Sequence, residues 1–127
     1  YRGIGIAERK WVFGSLWFDT RNKATLIWSE ELKYWVRVDP ATVGQYTGLK
    51  DEHGKEIYEG DVIRSPLSED KTRPHRIFYH TGNAAFMGAL VDRKELCYLR
   101  LDQDWIYKFG KEVIGNIHDN PELLKNE

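Results

Sequence analysis

The sequence predicts a mainly β protein made of many short strands, and three observations carry that reading. Short segments alternate apolar and polar residues with period two, while almost no stretch shows the 3.6-residue period of an amphipathic helix. Glycines at 44, 48, 54 and 60 punctuate the middle of the chain, where strands must bend or end. Aromatic residues make up 13% of the chain and include five tryptophans, the residue class that pleated, half-buried surfaces favour. The expected layout is a single domain over residues 1–127 with two subdomains. An N-terminal small β-sheet or hairpin would cover about 1–59, and an SH3-like small barrel would cover about 60–127. The barrel label is an analogy from the Gly60-Asp61 corner, the run of strands after it and a long first loop.

Taken in order, Trp11 to Trp17 sets Trp11, Phe13, Ser15 and Trp17 against Val12, Gly14 and Leu16 and reads as one strand. Asp19 to Lys23 is polar turn material. Ala24 to Trp28 and Lys33 to Val38 read as two further strands, separated by Ser29-Glu30-Glu31, and Asp39-Pro40 ends the second because proline offers no amide to a ladder. The stretch DPATVGQYTGLKDEHGKEIYEGDVIR then carries a turn at its centre. Asp51 is placed to bond amides two residues on, and Gly54 follows where a positive φ costs little. Gly48 and Gly60 are expected to bend the strands on either side, and Asp61 to accept backbone amides at a corner leading into Val62-Ile63-Arg64. Ser65 to Pro74 is a loop by composition. His75 to His80, Ala84 to Val91 and Leu96 to Leu101 form an expected three-stranded meander, with turns at Thr81-Gly82-Asn83 and Asp92-Arg93-Lys94. Asp102 to Gly110 fits a helical turn, and Glu112 to Ile117 a last strand. Asn120 and Pro121 then have the order of a helix start, which would press Leu123 and Leu124 onto the core beside Val113, Ile114 and Ile117.

Nineteen basic and twenty acidic residues leave a formal net charge of −1, so no bulk electrostatic pull toward nucleic acid or anionic membrane is expected. No apolar run approaches the ~20 residues of a membrane span. No secretory leader is read, and the lone Cys97 fits a reducing cytoplasm.

Neither a metal site, a bound cofactor nor a catalytic centre is expected. His53, His75, His80 and His118 lack the spacing of a helical zinc site. Asp51, Glu52, Glu56, Glu59 and Asp61 lack the alternating oxygen ligands of a calcium loop. Ser15, Ser29, Ser65, Ser68 and Cys97 stand outside any nucleophile elbow or phosphate-cradling motif, and Glu30-Glu31 and Asp102-Asp104 read as surface charge. Nucleic acid is the sharper alternative. Lys71, Arg73, His75 and Arg76 cluster on and after the long loop, ahead of Phe78 and Tyr79, as in sequence-tolerant single-strand binders. Against this, Glu69 and Asp70 offset part of the charge, and Phe78 and Tyr79 point to opposite faces. The leading expectation comes from Trp11, Trp17, Trp28 and Trp35, more than one thin N-terminal sheet can hide. They predict self-association into a homo-oligomer, or docking onto another protein.

Two motifs and the opening of the chain carry a family resemblance. Gln45 to Ile63 reads QYTGLKDEHGKEIYEGDVI, Val113 to Leu124 reads VIGNIHDNPELL, and Arg2-Gly3 precedes Trp11-Val12-Phe13-Gly14-Ser15-Leu16. Together they resemble the YopX family of small phage and prophage proteins over essentially the whole chain, with Ser65 to about Gly110 as the variable part. The resemblance implies a structural role for Gly48, Asp51, Gly54, Gly60, Asp61, Gly115 and Pro121. It implies no catalytic residue.

Overall fold

The computed structural model describes residues 1–65, 74–91 and 98–124, with the side chains of 98, 99 and 124 left aside. Within them the chain divides into two compact units, Tyr1–Tyr46 and Thr47–Glu127. The expected segments Lys71, Arg73, Cys97 and the turn Asp92-Arg93-Lys94 lie outside the described residues, as does the Leu124 side chain.

In the first unit, β1 (Arg2–Ile4) pairs antiparallel with β2 (Trp11–Phe13), and β3 (Leu16–Asp19), β4 (Ala24–Ser29) and β5 (Tyr34–Arg37) form a meander. The strand expected from Trp11 to Trp17 is thus two strands with a corner at Gly14, and β1 is an addition. A bridge from Gly5 to Val38, just past β5, ties the first sheet to the meander, and a second from Arg2 to Gly44 fastens the segment that follows it. The turns explain the meander. Asp19 Oδ1 accepts the amides of Arg21 and Asn22 at 3.1 and 3.2 Å, and Ser29 Oγ accepts that of Leu32 at 3.0 Å. Each turn closes on a lysine in the left-handed region, Lys23 and Lys33. Val12, Ile27, Val36 and Val38 form the core, with Leu16, Leu32 and Val43 against it.

In the second unit, β6 (Tyr46–Lys50) and β7 (Glu56–Tyr58) make a hairpin. A five-stranded antiparallel sheet runs β11-β10-β9-β8-β12, where β8 is Asp61–Arg64, β9 His75–His80, β10 Ala85–Leu90, β11 Tyr98–Arg100 and β12 Glu112–Asn116. The expected meander of three strands is therefore present, extended by β8 and β12. The SH3-like barrel is corrected to an open sheet: among the described residues β11 and β12 are its two ends and do not pair. Between them the chain forms α1 (Gln103–Lys108) instead of a closing strand. Asp102 starts that helix by accepting the Trp105 amide at 2.7 Å, and Ile106 drops into a core of Ile57, Ile63, Ile77 and Leu101.

The first motif stitches this unit together. Asp51 is buried; its Oδ1 accepts the amides of His53 and Lys55 at 2.8 and 2.9 Å, and its Oδ2 accepts that of Val113 on β12 at 3.0 Å. The hairpin therefore goes with the second unit, and the break lies at Tyr46, earlier than the expected 59. At the corner Gly60 has φ 90° and Asp61 accepts the Tyr58 amide at 2.8 Å, as the motif predicts.

The second motif is an asparagine-bonded turn. Asn116 Oδ1 accepts the amides of His118 and Asp119 at 3.0 and 2.9 Å. Asn120 Oδ1 turns back to the Asn116 amide at 3.2 Å, and a short 3-10 helix spans Pro121–Leu124. Gly115 has no Cβ because one would stand 2.5 Å from Asn120 Oδ1 and 2.9 Å from Leu123 Cδ1. Val113, Ile114 and Ile117 are half-buried, not fully buried, since this turn covers only part of β12. Ending the chain at Asp119 removes the Asn120 contact and the half-buried Leu123. Thermal denaturation is expected to show a loss of about 1–2 kcal/mol; an unchanged melting curve would make the tail an appendage.

Candidate interaction surface

The meander of the first unit has a core face and an outer face, fixed by its register. Leu16, Ile27 and Val36 are cross-strand neighbours on the core face. One step along, period two turns Trp17, Leu26 and Arg37 outward, and the pair Trp28 and Trp35 lies on the same outer face. The rings meet there: Trp17 and Trp35 have centroids 5.5 Å apart and are tilted, and Trp28 and Trp35 lie 5.7 Å apart edge to face. Trp17 remains 48% exposed and Trp35 42%. Phe18, on the opposite side of β3 but beyond the core, is 61% exposed.

The rim of this face is polar. Trp28 donates its indole N–H to Glu30 Oε1 at 3.0 Å, and Lys33 Nζ donates to Glu30 Oε2 at 2.8 Å. The Lys33 bond first, then the Trp28 bond and the Lys33 charge, hold the Glu30 carboxyl below its ordinary range. Trp11, expected with the other three, lies apart on β2 with the Arg2 guanidinium 4.5 Å from its ring centre. The outer-face clustering was hidden in the sequence because cross-strand neighbours are set by turn register, not by spacing along the chain.

Of the alternative nucleic-acid residues, His75 and Arg76 fall among the described residues. His75 is buried, edge-on to Trp105 at 5.8 Å, and Lys111 places Nζ 4.6 Å from the centre of the same ring. Arg76 is half-buried with its guanidinium 5.3 Å from the Phe78 ring. Of the serines, Ser29 is engaged with the Leu32 amide and Ser65 donates its hydroxyl to the Phe109 carbonyl. Among the described residues, no group of three or more His, Cys, Asp or Glu side chains is placed to hold a metal ion. No helix there is long and apolar enough to cross a membrane.

One titrating contact sits on the second unit. His53 Nε2 and Glu112 Oε2 are 2.9 Å apart, joining the motif's turn to β12. That hydrogen bond raises the His53 pKa above the ordinary histidine value; loss of solvent opposes it, and the charges of Asp51, Glu112 and Glu52 each add a smaller upward push. A raised histidine stabilises the fold fully below the unfolded pKa and loses that contribution as pH rises through the folded one. Proton NMR titration is expected to place His53 above 6.5, and Glu112→Gln to bring it down; equal values in the two proteins would mean that the pair is not formed.

Comparison with known proteins follows the same lines. No curated protein matches the chain. The crystal structure of protein EF1440 from Enterococcus faecalis superposes with a TM-score of 0.60 at 27% sequence identity, covering 98% of this chain and 96% of that one. The family model described as YopX protein matches residues 1–125. That span takes in the opening residues, the Asp51 hub and the asparagine-bonded turn alike, so the protein belongs to the YopX family.

Proposed function

We propose that this is a non-enzymatic protein of phage lineage that works in the host cytoplasm as an oligomeric interaction module, with copies of itself as the first partner. The observation that carries the reading is the cluster of Trp17, Trp28 and Trp35 on the outer face of the meander, with Trp17 and Trp35 left nearly half exposed. Tryptophan is the residue most enriched at the energetic centres of interfaces, and a polar rim such as Glu30 and Lys33 is the usual surround. The motifs contribute a scaffold: Asp51, Gly60, Asp61 and Asn116 are spent on backbone contacts.

Sedimentation equilibrium at micromolar concentration tests the reading. The expected mass is a multiple of 14.9 kDa, and replacing both Trp17 and Trp35 by Ser is expected to reduce it to the monomer. A wild-type mass of 14.9 kDa would reject the homo-oligomer. Weight would then pass to another phage or host protein as partner, or to single-stranded nucleic acid at Lys71, Arg73, His75 and Arg76, which a salt-dependent gel shift decides.

A further inference from the structure

The outer strand of the meander offers a specific way for two copies to meet, a proposal that rests on the self-association reading above. The amide of Trp28 donates to the Ser15 carbonyl at 3.0 Å. With Leu16 opposite Ile27 and Trp17 opposite Leu26, the hydrogen-bonded partners along β3 are therefore Ser15, Trp17 and Asp19. The alternation of an antiparallel ladder then directs the N–H and C=O of Leu16 and Phe18 away from β4. Among the described residues β3 is an edge of its sheet. It lacks the devices that blunt such an edge: the segment Leu-Trp-Phe-Asp holds no proline, no lysine and no bulge. Instead it exposes a large ring on each side, Trp17 at 48% and Phe18 at 61%.

We propose that β3 pairs antiparallel with β3 of a second copy about a twofold axis passing by Trp17, so that the two meanders become one continuous sheet. The segment is self-complementary in that register. Leu16 and Phe18 flank Trp17 symmetrically, so each outward amide and carbonyl of one copy meets its counterpart in the other, Leu16 opposite Phe18 and Phe18 opposite Leu16. Trp17 faces Trp17 of the second copy at a non-hydrogen-bonded position, where Cα atoms come within ~4.5 Å and side chains pack most closely. Phe18 lies over Leu16 on the opposite face. The one charge of the strand, Asp19, falls opposite Ser15 of the second copy and not opposite its own equivalent. Sliding the register by two residues toward the N-terminus would instead bring the Gly14 corner against Phe18. The arrangement is isologous and closes as a dimer.

Cysteine cross-linking reads the register. In a Cys97→Ser background, Ser15→Cys combined with Asp19→Cys is expected to oxidise to a covalent dimer, because the two positions face each other at disulfide distance. Asp19→Cys alone is expected to stay uncrosslinked, since its equivalents lie at opposite ends of the seam. Phe18→Pro supplies a second test that leaves the turn at Asp19 untouched. It deletes only an outward amide, which an edge strand tolerates, and inserts a ring into the seam, so the mass should fall to the monomer while the circular dichroism spectrum is retained. A wild-type dimer that survives Phe18→Pro, or that cross-links through Asp19→Cys alone, overturns the seam and leaves the tryptophan face standing as the contact. A wild-type monomer overturns both.

Discussion

Replacing Asp51 by Ala is expected to destabilise the second unit by about 3–5 kcal/mol, a large share of the ~5–15 kcal/mol that holds a typical domain. The carboxylate is buried and accepts three backbone amides, two within its own turn and that of Val113 on β12. Hydrogen bonds to a charged group contribute about 1.5–3 kcal/mol each, though the amides of exposed His53 and Lys55 recover part of this from water. Asp51→Asn separates the roles. One oxygen can still serve His53 and Lys55, but the new amide nitrogen would face the Val113 N–H, donor against donor. Its cost should be intermediate, about 1–3 kcal/mol. Trp105 is the one tryptophan of the five that lies in the second unit, and its fluorescence belongs in the readout of urea denaturation. Asp51→Ala within ~1 kcal/mol of wild type would remove the hub from the account of the fold.

Gly14→Ala is expected to be nearly as damaging in the first unit. A Cβ there would stand 1.8 Å from the Trp28 carbonyl oxygen, in the backbone of the central strand of the meander, and φ is +154°. That oxygen and the Trp28 carbonyl carbon, 3.0 Å away, are backbone and not the end of a flexible side chain, so the β2–β3 corner must move away from β4. Overpacking of this kind costs about 1–3 kcal/mol and backbone strain a similar amount, giving about 2–6 kcal/mol together. Gly48 supplies the control, with φ +84° and nothing within 4 Å of its would-be Cβ. Gly48→Ala carries backbone strain alone, about 1–2 kcal/mol. Equal losses at the two positions, measured by chemical denaturation, would mean that the close approach at Gly14 is absent.

Which parts of this architecture could be read from the sequence follows from how local their causes are. The turn at Asp51 and the corner at Gly60 are each written within a few residues, whereas Asp102 reads there only as surface charge. Asp51 bonding to amides two residues on is thus visible in the string itself. β1 was not. Gly3 and Gly5 lie where a Cβ would stand within 3.0–3.2 Å of Val36 and Val38 atoms, so the strand pairs through small residues and shows no apolar alternation. The sheet is open where the sequence predicts a barrel because only the course of the chain through α1 decides whether β11 and β12 meet. Charge groups His75 with the basic loop, yet it stands two residues before Ile77, and period two places both on the core face. That signal was present and outweighed by charge. The tryptophan cluster needed the register of β3, β4 and β5 together, which no window of the sequence contains.

The bond from Asp51 to Val113 spans 62 residues, and this sets an order on the chain as it is synthesised. Everything that closes the first unit, from the Arg2–Gly44 bridge to the Val38 edge of its core, is available once residue 46 has left the ribosome. The Asp51 hub must wait until β12 has been translated, with its turn's amides bonded and its second oxygen without the Val113 amide. Domains fold as units during translation, N-terminal first. A nascent chain would therefore display a finished β3 edge while its second half is still being made, and neighbouring chains on one polysome could join through that edge before either is complete.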